Sequence, residues 1–146
     1  SDGFEGKFFC SHPTKEIARL IIQDSAKIQE EEAEMANKNQ YSKHNPATPL
    51  YTLEEAKRVL PMFRVVDPNL EVKLADNCWF KLFYAGHVLG ACSLELHVED
   101  KILVFSGDIG QDDDVLMFPP IKPKQADYVF LESTYGNRIH PQENVL

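Results

Sequence analysis

Long apolar runs are missing from this sequence of 146 residues, and cysteine and positive charge are scarce. No stretch approaches the ~18 consecutive apolar residues that a membrane-spanning helix needs, which excludes a membrane protein. Disorder is excluded as well, because a hydrophobic fraction of 43% is enough to build a core. The sequence therefore predicts one soluble globular domain.

The number and spacing of the cysteines indicate the redox environment of the protein. Cys10, Cys78 and Cys92 are an odd number at wide spacing, and they include no C-x-x-C pair. The pattern predicts neither a disulfide framework nor a cysteine zinc site. We expect a reducing, cytoplasmic environment.

Lysine and arginine number 15 against 23 aspartate and glutamate residues, and the net charge is −8. A free-standing nucleic-acid binder usually carries a basic excess, because it must displace counterions from phosphate. If this chain contacts nucleic acid, another part of the protein supplies the positive charge. The chain also starts with Ser1 and enters an apolar strand soon after Gly6, which predicts a piece of something longer.

Helices precede strands along most of the chain. Apolar residues recur at helical spacing up to Met35 and predict a long first helix with Thr14 as its N-cap. Thr52 and Glu55 form a capping-box pattern at the start of a second helix, which ends before Pro61. Strands are predicted at residues 7–10, 63–66, 71–74, 79–84, 93–98, 101–105 and 128–131, with a hairpin between 94 and 105. This order favours a layered α/β or α+β domain.

Three short motifs place a polar side chain beside glycine where a predicted strand ends. They are AGHVLG at 85–90, SGDIG at 106–110 and LESTYG at 131–136. Strand ends of α/β sheets commonly carry sites, and glycine lets a ligand approach the backbone. His87 and Asp108 are ligand types for a cation such as zinc. Each motif alone is more typical of a packed histidine or a plain turn, but the three together favour a site.

The strings AGHVLGA, SGDIG and LESTYGNRIHP resemble the metallo-β-lactamase-fold β-CASP group of RNA-processing nucleases. This group includes the endonuclease subunit of the cleavage and polyadenylation factor. The resemblance covers nearly the whole chain, since GFEGKFFCSHPT, IIQDSAKIQEEEAEMAN and PLYTLEEA are similar to segments that follow the first metal motif of the family. ESTYG separates the β-CASP group from small-molecule hydrolases of the same fold.

The resemblance implies a role for three residues. His87 matches a zinc ligand, and Asp108 matches the carboxylate that bridges two zinc ions. Glu132 matches an acidic residue that supports the active site and helps to orient a catalytic histidine. Paired zinc ions activate water at neutral pH and offset charge on phosphorus, so the implied reaction is hydrolysis of RNA phosphodiester bonds.

Two parts of the family pattern are absent. The H-x-H-x-D-H zinc motif would precede Ser1, and the later β-CASP histidines would follow Leu146. The resemblance therefore implies a single incomplete metallo-β-lactamase domain, 1–146, that ends at the start of the β-CASP region. Its expected fold is a partial αββα sandwich with a mixed or antiparallel sheet. We expect weak or no zinc binding, no activity in the isolated chain, and self-association through a sheet edge that the missing segment normally covers.

The leading hypothesis is a fragment of a zinc-dependent ribonuclease that reaches RNA through the intact parent protein. The alternative is a non-catalytic module that binds nucleic acid or a partner and keeps the fold without its metals. Intact His87, Asp108 and Glu132 favour the enzyme. An H-x-H-x-D-H motif directly upstream of Ser1 would distinguish the two hypotheses.

The remaining polar residues have simpler interpretations. His12, His44 and His97 are expected to be a helix-start, a loop and a strand histidine, and His140 is expected to pack near a domain junction more often than to serve a site. For three further groups we expect capping, solvated turns and a solvated helix face rather than ligand binding. These groups are Ser133 to Tyr135, Asp112 to Asp114, and Glu30, Glu31, Glu32 and Glu34.

Overall fold

The computed structural model describes residues 3–134 and 136–137, and the chain divides into two compact units, Ser1–Leu70 and Glu71–Leu146. The helices and strands confirm the mixed α/β content that the sequence predicts. Within the described ranges, every helix is too short or too polar to cross a lipid bilayer. The single incomplete domain stays a prediction.

The first unit combines two helices with a small parallel sheet. Its elements are β1 (Phe8–Cys10), α1 (His12–Asn39), α2 (Leu53–Val59), a 3-10 turn (Leu60–Met62) and β2 (Phe63–Val65). Strands β1 and β2 run parallel, with Phe8 opposite Phe63. The Val66 N–H extends this pairing by donating to the Cys10 carbonyl at 2.9 Å.

Helix α1 is longer at both ends than the sequence predicts. The N-cap is Ser11 rather than Thr14, because the Ser11 hydroxyl accepts the Thr14 N–H at 3.4 Å. Pro13 occupies the first turn, where its missing N–H costs nothing. The C-terminal end lies at Asn39, and Gln40 closes the helix with a φ of 53°. The prediction stopped near Met35 because the apolar stripe ends there.

Helix α2 starts with the predicted capping box. The Glu55 N–H donates to the Thr52 hydroxyl at 3.2 Å, and the Thr52 N–H donates to the Glu55 carboxylate at 2.9 Å. Hydrogen bonds from the Thr52 N–H and from the Thr52 hydroxyl to the Glu55 carboxylate lower the pKa of this carboxyl from its ordinary value. The α-helix ends at Val59, and Pro61 falls in the 3-10 turn that follows. The capping prediction is confirmed.

A five-stranded sheet forms the second unit. Its spatial order follows the chain: β3 (Val72–Ala75), β4 (Cys78–Tyr84), β5 (Cys92–Val98), β6 (Lys101–Phe105) and β7 (Tyr128–Phe130). The first four strands pair antiparallel, and β7 pairs parallel to β6. The predicted β5–β6 hairpin is confirmed, with Glu99 in its turn at a φ of 54°.

This strand order places three strand ends together. Strands β4, β6 and β7 share one direction because β5 runs antiparallel to both β4 and β6. Their C-terminal residues, Tyr84, Phe105 and Phe130, therefore lie at the same end of the sheet. Phe105 and Phe130 are register partners whose rings stack with centroids 4.5 Å apart. The three polar motifs begin directly after these residues.

Candidate functional site

The first two motifs meet through glycine. The Gly110 N–H donates to the Ala85 carbonyl at 2.8 Å. A Cβ atom on Gly110 would lie 1.8 Å from the Gly86 carbonyl oxygen, so no larger residue fits at this contact. Gly86 itself has a φ of +71°, and a Cβ there would lie 2.8 Å from the Phe118 carbonyl oxygen. Both glycines are therefore required where the loops after β4 and β6 touch.

This contact brings His87 and Asp108 together. His87 Nε2 lies 3.9 Å from Asp108 Oδ2, and the two side chains are 45% and 72% exposed. Two ligands of one tetrahedral zinc ion, each about 2.1 Å from the metal, lie about 3.4 Å apart. An imidazole nitrogen and a carboxylate oxygen at 3.9 Å are close to that spacing. The pair fits two positions of a zinc coordination shell.

Glu132 joins the third motif to the second. Its Oε1 atom accepts the Ile109 N–H at 2.5 Å, and its own N–H donates to the Ser106 hydroxyl at 3.0 Å. Ile109 directly follows Asp108, so the Glu132 carboxylate fixes the backbone beside the proposed ligand. The family resemblance implies that Glu132 supports the site, but this contact between the loops after β6 and β7 could not be read from spacing.

Ser106 is a structural residue of the site that the sequence analysis did not single out. Its side chain is buried, and its hydroxyl donates to the Gly107 carbonyl at 2.7 Å while it accepts the Glu132 N–H. The Ser93 hydroxyl donates to the Ser106 carbonyl at 2.7 Å. These bonds hold the end of β6 between β5 and β7. The serine in SGDIG was the available signal.

A pocket of about 510 Å³ opens at this end of the sheet. Its walls combine motif residues with the segment that follows β6: Gly86, His87, Ile109, Gly110, Gln111, Asp114, Glu132 and Thr134. The lining therefore mixes apolar and glycine positions with residues that carry carboxylate, amide, hydroxyl and imidazole groups. Imidazole and carboxylate are ligand types for a cation such as zinc. Tyr135 and His140 lie outside the described residues.

The other histidines have other surroundings. His97 lies in β5, where its ring stacks on Trp79 at 3.5 Å and its Nε2 is 2.8 Å from Glu95 Oε1. This is the strand histidine that the sequence predicts. His12 is the first residue of α1, and His44 lies in an exposed loop. Within residues 3–134 and 136–137, no three His, Cys, Asp or Glu side chains form a metal-binding group.

The two acidic runs differ in their contacts with the rest of the chain. Asp112, Asp113 and Asp114 are exposed in a turn, as predicted, and Asp112 Oδ2 is 3.6 Å from Lys122 Nζ. In α1, the side chains of Glu31, Glu32 and Glu34 are exposed, whereas Glu30 accepts the Leu53 N–H at 3.0 Å. Glu30 therefore fixes the start of α2, which corrects its assignment to a purely solvated face.

Comparison with known proteins identifies the relatives of this chain as endoribonucleases. A protein from Aspergillus fumigatus named endoribonuclease ysh1 is 29% identical over 140 residues, which are 94% of this chain and 15% of that protein. Proteins of the same name from Mycosarcoma maydis and Schizosaccharomyces pombe are 29% and 27% identical over 92% and 94% of this chain. No family model matches the chain.

These similarities confirm the resemblance to RNA-processing nucleases that the motifs indicate. They extend over about nine tenths of the chain. The chain spans about one seventh of the length of these relatives, 14% to 16% of the three proteins above. Their named activity belongs to much longer proteins.

Proposed function

We propose that this chain is part of a zinc-dependent endoribonuclease that hydrolyses RNA phosphodiester bonds. The observation that carries the proposal is the approach of His87 Nε2 to Asp108 Oδ2, 3.9 Å apart beside the pocket at the end of the sheet. It occurs in a chain similar over most of its length to proteins named endoribonuclease. An imidazole and a carboxylate placed side by side are groups that metal-assisted hydrolysis uses.

The proposed architecture is an incomplete metallo-β-lactamase domain in a longer cytoplasmic protein. The mixed sheet with helices in the chain is consistent with part of an αββα sandwich. A preceding segment would supply the H-x-H-x-D-H zinc ligands, and a following β-CASP domain would supply further histidines and the basic groove for RNA. This division explains how a chain of net charge −8 can belong to a protein that binds phosphate.

His87 and Asp108 would hold zinc in this proposal, His87 on one ion and Asp108 between two. Zinc, when bound, makes water nucleophilic at neutral pH and offsets negative charge that develops on phosphorus. The remaining task of the chain is orientation. Glu132 fixes the Ile109 N–H, and Ser106 fixes the Glu132 N–H, so the backbone beside Asp108 is held in place before substrate arrives.

The alternative is a non-catalytic module that binds nucleic acid or a partner. One observation favours it: the described residues bring only two ligand side chains together where a structural or catalytic zinc needs three or four. The two hypotheses differ in what the rest of the protein supplies. An H-x-H-x-D-H motif encoded directly upstream of Ser1 supports the enzyme, and a degenerate motif there supports the module.

The test uses the full-length parent protein with single-stranded RNA. We expect His87→Ala and Asp108→Asn each to lower the cleavage rate by about a thousandfold or more, because a lost ligand removes most of the metal's contribution. RNA affinity, measured by fluorescence anisotropy, should stay within about twofold, since RNA binding depends mainly on phosphate contacts. The isolated chain should not cleave RNA.

Two matched variants control the test. His44→Ala removes an exposed histidine of the first unit, and Asp76→Asn neutralises an exposed aspartate whose Oδ1 lies 3.0 Å from Lys73 Nζ. Both should retain the parental rate. Equal losses of binding and cleavage in the site variants would indicate a damaged fold. Zinc-dependent cleavage by the isolated chain would contradict the proposal that segments outside it complete the zinc site.

A further inference from the structure

The segment that follows the proposed ligand Asp108 carries an exposed apolar tip. We call residues 111–120 the site loop. Val115, Leu116 and Phe118 are 88%, 86% and 73% exposed within it. Single exposed apolar side chains are common on protein surfaces, but here three lie within four consecutive positions. Clusters of this kind mark contact surfaces.

The site loop is anchored at both ends to the end of β4. The Gly110 N–H donates to the Ala85 carbonyl at 2.8 Å, and the Ile121 N–H donates to the Tyr84 carbonyl at 2.9 Å. The Phe118 ring lies 5.6 Å from the ring of Tyr84, between their centroids. The loop therefore leaves the sheet and returns to it at adjacent residues, and Asp114 near its tip lines the pocket.

Asp114 shapes the tip. Its Oδ1 atom accepts the N–H groups of Leu116 and Met117 at 2.7 and 2.8 Å. The bonds from the Met117 and Leu116 N–H groups lower the pKa of the Asp114 carboxyl from its ordinary value. A loop tied in this way presents Val115 and Leu116 outward rather than burying them. Binding of a partner to the tip therefore costs less conformational entropy than it would on a disordered loop.

Charge decides which class of partner the tip fits. Asp112, Asp113 and Asp114 directly precede the apolar residues, and all three are exposed. Lys122 approaches Asp112 at 3.6 Å and offsets part of this charge, but the loop remains acidic. RNA phosphates are repelled by such a surface, whereas lysine and arginine side chains are attracted to it.

We propose that the site loop is a docking surface for a protein segment in which lysine or arginine flanks apolar side chains. Leu116 and Val115 enter an apolar cleft of the partner, and Asp112 and Asp113 pair with its basic residues. The surface adjoins the pocket, so a docked partner sits beside the proposed active site. This inference does not depend on the chain being a nuclease.

The test uses the 146-residue chain and a labelled ten-residue peptide of alternating lysine and leucine as the probe. Fluorescence anisotropy gives the affinity, and NMR gives the amides that shift. We expect shifts at residues 112–118, a loss of affinity of about tenfold or more in Leu116→Ser, and a smaller loss in Asp113→Asn that disappears at high salt. Leu50→Ser and Asp76→Asn, at exposed positions of similar chemistry, should bind as the unchanged chain does.

Several outcomes would overturn the proposal. One is equal weakening by Leu116→Ser and Leu50→Ser, which would mean that the peptide binds the acidic chain without regard to the loop. Another is undetectable peptide binding, or binding with shifts outside residues 112–118. A third is a single-stranded oligouridine that shifts the loop amides when the peptide does not, which would assign the loop to RNA. A peptide with glutamate in place of lysine should not bind.

Discussion

At the scale of single residues, Glu132 has the most informative contacts. Its carboxylate accepts a backbone N–H that immediately follows Asp108, and its own N–H is held by Ser106. A residue in this arrangement acts on the site through the backbone rather than through contact with substrate. The bond also joins two loops that are distant in sequence, so its loss should be visible in the stability of the chain.

We predict that Glu132→Ala lowers the free energy of unfolding by about 1 kcal/mol, because the Ile109 N–H loses a charged acceptor. Glu132→Gln keeps an oxygen acceptor and should lose about half as much. Chemical unfolding measures the stability, and hydrogen exchange at the Ile109 amide reports the bond directly. Glu31→Ala, at an exposed helix position, serves as the control. Unchanged Ile109 exchange in Glu132→Ala would show that the bond is unimportant in solution.

At the scale of elements, the two edges of the five-stranded sheet differ. Strand β3 carries the exposed Lys73 and an irregular register between Lys73 and Ala75, and both features discourage further pairing. Strand β7 has neither. Its side chains Tyr128, Val129 and Phe130 are more than half exposed although they alternate between the two faces of the sheet. Strand β7 is the last strand of the described sheet and pairs there with β6 alone, so its other edge is suited to a partner strand.

We therefore predict that the isolated chain self-associates through β7. Sedimentation should show a mass that rises with concentration, and Val129→Lys should shift the equilibrium towards monomer because a lysine at a sheet edge opposes pairing. Leu50→Lys, at an exposed position of the first unit, should leave the association unchanged. A monomer at all concentrations, with uniformly slow amide exchange in every strand, would argue against this interface.

Local sequence patterns predicted most helices and strands, but they could not predict contacts between residues distant in sequence. The Thr52–Glu55 capping box and the β5–β6 hairpin depend on neighbours in sequence, so both were readable. The start of α1 was misplaced because Ser11 and Thr14 both suit an N-cap and only the backbone distinguishes them. The three motifs revealed His87 and Asp108. The Glu132–Ile109 bond required the register of β6 and β7, which no local pattern encodes.

At the scale of the whole molecule, the five-stranded sheet sets the spacing of His87 and Asp108. These residues lie in turns where Gly86 and Gly110 permit close contact, and this contact uses only residues of the second unit. The sheet therefore brings the two proposed ligands together within that unit. The described residues offer no third ligand beside His87 and Asp108. The remaining ligands of the proposed zinc ion must therefore come from elsewhere.

The last prediction follows from this shortage of ligands. Two protein ligands leave about two of four zinc positions to water, so the isolated chain should bind zinc weakly and lose it on dialysis. Thermal stability should rise little with zinc, because the gain is RT ln(1 + [L]/Kd) and Kd is large.

Calorimetric titration of the chain, of His87→Ala and of His44→Ala measures the zinc affinity. The small heat of binding should vanish in His87→Ala and persist in His44→Ala, since only the former loses a ligand. A tight site in the unchanged chain that depends on His87 would mean that a further residue, or a second copy of the chain, completes the coordination shell.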